Sequence, residues 1–140
     1  MKYLFLFYWG IWAIFCQTQK NATLKILVSN VEKGKGQLIV TVFNQKNGFP
    51  IKPALAFRTK KVKVRSLQPE IRFDSLPYGD YAVAVHYDEN SDNKFNLNFL
   101  GIPTEKTGAS NNPKVMFIPS FNDAKFSLRD SLLSLSIKLK

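Results

Sequence analysis

Short runs in which apolar residues recur at every second position, cut apart by glycine, proline and asparagine, constrain this chain more than any other feature. Such alternation turns one side of an extended strand toward a core and the other toward water, whereas a helix needs a period of 3.6. The pattern predicts strands over Thr23 to Asn30, Gln37 to Asn44, Lys61 to Arg65 and Glu70 to Phe73. It continues over Tyr81 to Asp88, Val115 to Ile118, Lys125 to Leu128 and Leu132 to Leu139. Asn47-Gly48 with Pro50 and Pro53 marks a loop, and Leu76-Pro77-Tyr78-Gly79-Asp80 marks a reversal. Tyr81, Val83, Val85 and Tyr87 share one face of the strongest run and Ala82, Ala84 and His86 the other, which predicts burial on both sides. About seven to eight strands with frequent turn signals predict an all-β chain, an antiparallel β-sandwich with Greek-key connections.

The first residues do not join this pattern. Met1-Lys2 is followed by an uncharged apolar stretch from Tyr3 to Phe15 and then by Gln17-Thr18-Gln19-Lys20. The stretch is shorter than the roughly twenty residues a membrane-crossing helix needs, and its layout is that of a secretory signal. Residues 1–19 are therefore expected to be a signal peptide and residues 20–140 a single exported domain, periplasmic or extracellular, with no transmembrane segment in the mature chain. Cys16, the one cysteine, falls inside the leader, and the bulky Phe15 before it argues against lipid attachment. A mature chain without cysteine depends on a hydrophobic core, to which twelve phenylalanines in the full sequence are expected to contribute, and gains from any bound ion. The net charge of +10 favours anionic partners. Export makes nucleic acid an unsuitable one and points to an anionic envelope polymer or another envelope protein.

Directly after the strongest strand run, oxygen-bearing side chains recur at alternate positions: Asp88, Asn90, Asp92 and, further on, Asn96. A turning backbone can aim such a series at one hard cation, with carbonyl oxygens filling in, and Ca²⁺ takes six to eight oxygens. The order matches the calcium-loop pattern D-x-[DN]-x-[DN]-G at positions one, three and five. Asn93 stands in place of the glycine, and asparagine tolerates the left-handed backbone conformation. Lys94 can offer its carbonyl. Position twelve is Phe99 rather than a bidentate glutamate, so a further carboxylate has to come from Glu89 or Glu105. Few carboxylates among neutral amides predict weak Ca²⁺ binding, in the roughly sub-millimolar to millimolar range of extracellular modules. The plain alternative is a turn held by side-chain-to-backbone hydrogen bonds.

Other chemistry finds less support. His86 is the one histidine, which suits a packed strand residue better than zinc or a catalytic triad. No nucleophile elbow surrounds Ser110 or Ser120. Carboxylate pairs among Asp88, Glu89, Asp92 and Glu105 leave a small carbohydrate-active enzyme as a distant reading. Arg58, Lys60, Lys61, Lys63 and Arg65 form a basic cluster, read either as the solvated face of a half-buried strand or as a site for anionic polysaccharide or lipid head groups.

Several ordered blocks carry a family likeness: Asp74 to Asn90 (DSLPYGDYAVAVHYDEN), Asn98 to Glu105 (NFLGIPTE), Gly108 to Asn111 (GASN) and Pro119 to Phe126 (PSFNDAKF). Together they resemble the bacterial family called domain of unknown function 2141, over about Leu24 to Leu139. The resemblance implies a secreted or periplasmic β-sandwich, immunoglobulin-like or transthyretin-like, without an established activity. Asp88, Glu89, Asn90 and Lys94 match the family's loop. Asn93 stands where glycine is usual, Asn96 where aspartate is usual, and Asp92 where asparagine is frequent. The combined reading is a non-enzymatic exported module, calcium-stabilised through Asp88 to Asn96 and acting in binding or assembly at the cell envelope.

Overall fold

The computed structural model describes residues 19–140, so the signal-peptide expectation and Cys16 lie outside the described residues. Eight strands form two sheets: β1 (Asn21–Ser29), β2 (Gln37–Phe43), β3 (Arg58–Lys63), β4 (Glu70–Pro77), β5 (Gly79–Asp88), β6 (Thr107–Ala109), β7 (Phe126–Leu128) and β8 (Leu132–Lys138). One sheet runs β4-β1-β8 and the other β3-β2-β5-β6, with β7 also paired to β5. The chain is thus all-β and consistent with a sandwich, with a single 3-10 turn at Pro53–Leu55 and one short α-helix, α1 (Phe121–Ala124), between β6 and β7. Most pairs are antiparallel, but β8 runs parallel to β1, from Thr23 opposite Leu132 to Ser29 opposite Lys138. β8 is entered from β7, which pairs with a strand of the other sheet, so no hairpin dictates its direction.

The alternation sets which side chains meet. Leu24, Ile26 and Val28 of β1 face Leu38, Val40 and Val42 of β2, with Ile71, Phe73, Val83, Val85, Tyr87 and Ile137 completing one cluster between the sheets. Full burial of each large aliphatic side chain stabilises by roughly 1.5–3 kcal/mol before chain entropy is charged against it. Aliphatics supply most of this core. Phenylalanine does less than its number suggests: Phe43 and Phe73 are buried, but Phe99 is 96% exposed and Phe117 60% exposed.

β5 is covered on both sides, as its two apolar faces require. Tyr81, Val83, Val85 and Tyr87 enter the main cluster, while Ala82 and Ala84 join Phe43, Ala109, Phe121 and Ala124 in a second cluster on the outer side. Phe49 stands edge-on to both Phe43 and Phe121 there, at centroid distances of 5.3 and 5.9 Å. Val115 to Ile118 corrects the strand expectation, for the segment pairs with no strand and leaves Met116 88% exposed. Pro113 and Pro119 bracket it, and Asn111 and Asn112 just before it adopt left-handed backbone angles (φ 67° and 46°). Proline lacks the N–H that a ladder requires. Among the described residues no helix is long and apolar enough to cross a membrane.

Candidate functional site

The oxygen-rich loop begins where β5 ends. Gln37, the first residue of β2, lies opposite Asp88, the last of β5, so the central strand pair delivers Asp88 to the edge of the sandwich. Asp88 is fully buried, and a buried carboxylate is costly unless donors surround it. Three do. The Asp92 amide donates to Oδ1 at 3.1 Å, and the Asn93 amide and Gln37 Nε2 donate to Oδ2 at 2.9 and 2.7 Å. The chain can curl back on Asp88 in this way because Ser91 and Asn93 take positive φ, 60° and 62°. Asn93 therefore does what the consensus glycine does, as its tolerance of that region predicts.

The other alternate positions gather around Asp92. Its Oδ2 accepts from Asn90 Nδ2 at 3.2 Å and from Asn96 Nδ2 at 3.1 Å, and its Oδ1 accepts the Lys94 amide at 2.8 Å. Asn90 Oδ1 in turn accepts the Asp92 amide at 3.0 Å. The Lys94 amide, followed by the Asn96 side chain, holds the Asp92 carboxyl below its ordinary value of 3.8. Asp88, Asn90, Asp92 and Asn96 thus form one hydrogen-bonded unit, with Lys94 joined through its backbone.

Glu89 and Glu105 are turned to other partners. Glu89 Oε2 pairs with Lys35 at 2.8 Å, and Glu105 accepts the Glu89 amide on Oε1 at 3.0 Å and meets His86 Nε2 with Oε2 at 2.8 Å. In this arrangement neither supplies the missing bidentate carboxylate. Among the described residues no three His, Cys, Asp or Glu side chains converge as metal ligands. A cation here would be held by the two aspartates together with amide and backbone oxygens, the donor set of a weak hard-cation site. Rotation of the Asn96 amide would turn its oxygen toward the position now held by its NH₂ group.

The basic cluster is divided by the pleat of an edge strand. Arg58 and Lys60 lie opposite Val42 and Val40 on the core-facing side of β3, while Lys61 and Lys63 lie opposite Ile39 and Gln37 on the outer side. All five cations, including Arg65 beyond the strand, are exposed. Lys60 crosses to the other sheet, donating to the Arg72 carbonyl with its ammonium 5.2 Å from the Phe73 ring centroid. Arg58 lies 4.3 Å over the Phe57 ring. Lys61 reaches the loop, donating to Asn93 Oδ1 at 2.7 Å.

Two supports of the loop have no local sequence signal. Gln37 donates to both Asp88 and Asn93 from far along the chain. Gly36, with φ 64°, lies so near the loop that a Cβ there would fall 2.5 Å from the Asp88 carbonyl oxygen and 2.8 Å from Glu89 Cα. Only the β2–β5 register, absent from any local window, would have pointed to them. A family model described as an uncharacterized protein conserved in bacteria (DUF2141) matches residues 26–135. No curated protein and no solved structure matches the chain.

Proposed function

The chain belongs to the uncharacterized bacterial family DUF2141, and on that premise we propose that it is an exported, non-enzymatic module whose Asp88–Asn96 loop takes a weakly bound Ca²⁺. The ion orders the long connection after β5 for binding or assembly at the cell envelope. The observation that carries this reading is the loop's curl around buried Asp88, whose carboxylate is fixed by the amides of Asp92 and Asn93. That curl brings the side chains of positions three, five and nine to one another, as a cation-wrapping loop requires. Lys61 on Asn93 and Lys35 on Glu89 place positive charge beside the loop, which agrees with low affinity. Calorimetric titration of the purified protein with Ca²⁺ tests it. Saturable binding near about millimolar concentration, weakened by Asp92→Asn and by Asn96→Ala, is expected. Heat release that is absent, or equal in both variants, overturns it.

A second reading rests on the exposed cations of β3, which suit an anionic polysaccharide or lipid head groups. It expects capture by an acidic polysaccharide that falls with salt and with joint replacement of Lys61 and Lys63 by glutamine. Salt-insensitive capture would exclude it.

A further inference from the structure

The outer side of β2 and β5 carries a cavity of about 300 Å³ beside the second apolar cluster. That volume lies at the lower end of the roughly 300–1,000 Å³ of small-molecule sites. Ile39, Thr41, Ala84 and His86 contribute from the strands, while Phe95 and Met116 contribute from the two loops that wall it. The lining is mostly apolar, yet Met116 and Phe117 line it while remaining 88% and 60% exposed. An occupant would remove that apolar surface from water, which favours binding of an apolar body.

The polar groups define what such an occupant must carry. Thr41 Oγ1 uses its one proton on the Ala84 carbonyl at 3.1 Å. Lys140 Nζ donates one of its three N–H groups to the Pro113 carbonyl at 3.0 Å, and Lys138 also lines the cavity. Asn112 is engaged through both ends of its amide, to Ser136 and Lys138. Glu105 accepts the Glu89 amide on Oε1 and meets His86 Nε2 with Oε2. In the tautomer that donates from Nε2 to Glu105, Nδ1 is an acceptor. It makes no hydrogen bond among the described residues, although no sealed side-chain nitrogen or oxygen there lacks a partner. His86 is only 8% exposed, and Phe95 packs against its ring at 5.0 Å, so the imidazole is held in place. We propose that this cavity binds a small, mainly apolar molecule bearing one hydroxyl, with the hydroxyl donating to His86 Nδ1 and the apolar body covering Met116 and Phe117. The cavity shares Phe95 with the cation loop, but the proposed contact uses none of the oxygens of Asp88, Asn90, Asp92 or Asn96.

Three probes of one shape separate the alternatives when titrated into the purified protein by calorimetry: 4-propylphenol, its methyl ether and 4-propylbenzoate. The phenol is expected to bind about tenfold more tightly than the ether, which keeps the shape and loses the donor. The benzoate is expected to bind more weakly than the phenol, since its head presents acceptors to an acceptor. His86→Phe should bring phenol and ether to equal affinity. Met116→Glu, at an exposed position that folding tolerates, should weaken both. No saturable binding of the phenol, equal binding of phenol and ether to the unaltered protein, or a preference for the benzoate through Lys138 would each overturn the proposal.

Discussion

Asp88 concentrates more of the fold's electrostatic demands than any other side chain of the loop. Its carboxylate is buried and satisfied by three donors, so Asp88→Ala leaves two amides and an NH₂ group facing an empty acceptor site. Loss of about 3 kcal/mol is expected, read as a fall in urea midpoint, against about 1 kcal/mol for Gln37→Ala. Asp92 sets a pH dependence of defined sign. Its folded-state carboxyl lies below 3.8, so its contribution is complete above that value and is lost as pH falls through the depressed one. Urea midpoints compared between about pH 5 and about pH 3 should fall less for Asp92→Asn than for the unaltered protein. Spacing alone marked Asp88, Asn90, Asp92 and Asn96 in the sequence, because the contacts among them are local. It could not assign Glu89 or Glu105, whose partners Lys35 and His86 are fixed by tertiary pairing.

Elements with long, regular alternation were the legible ones. β1 and β8 follow their apolar periods to within a residue or two, and the two faces of β5 pack as Tyr81 to Tyr87 and Ala82 to Ala84 dictate. Val115 to Ile118 misled because apolar character was present without a partner strand. β6 and α1 were missed because three or four residues show no period; α1 instead relies on a capping box between Ser120 and Asp123. Ser120→Ala should therefore cost about 1 kcal/mol in a denaturant melt. The turn into β2 imposes a different constraint. Gly36→Ala places a methyl against the Asp88 carbonyl and requires positive φ, so it should destabilise by more than about 1 kcal/mol and shift the amide resonances of Asp88 to Asn93. Lys60 and Lys61 show why the basic run is not one patch: neighbours on an edge strand point to opposite faces, and one bridges the sheets while the other reaches the loop.

At the scale of the molecule, one strand links every feature of interest. β5 fills the main core with one face and supports the second apolar cluster with the other, and it delivers His86 to the cavity and Asp88 to the loop. Glu105 joins the last two, meeting His86 and the Glu89 amide at once. The sandwich was readable from pattern, whereas the cavity was not, because its walls come from loops whose positions depend on strands far away in sequence. Thermal melts of the purified protein in about 10 mM CaCl₂ and in chelator decide whether a cation stabilises the loop. For a dissociation constant near about 1 mM, linkage predicts stabilisation of about 1.4 kcal/mol, a rise of about 4–7 °C in Tm. Asp92→Asn should show a smaller rise. An unchanged midpoint, or an equal rise in the variant, would contradict a cation-stabilised loop and leave a turn held by its own hydrogen bonds.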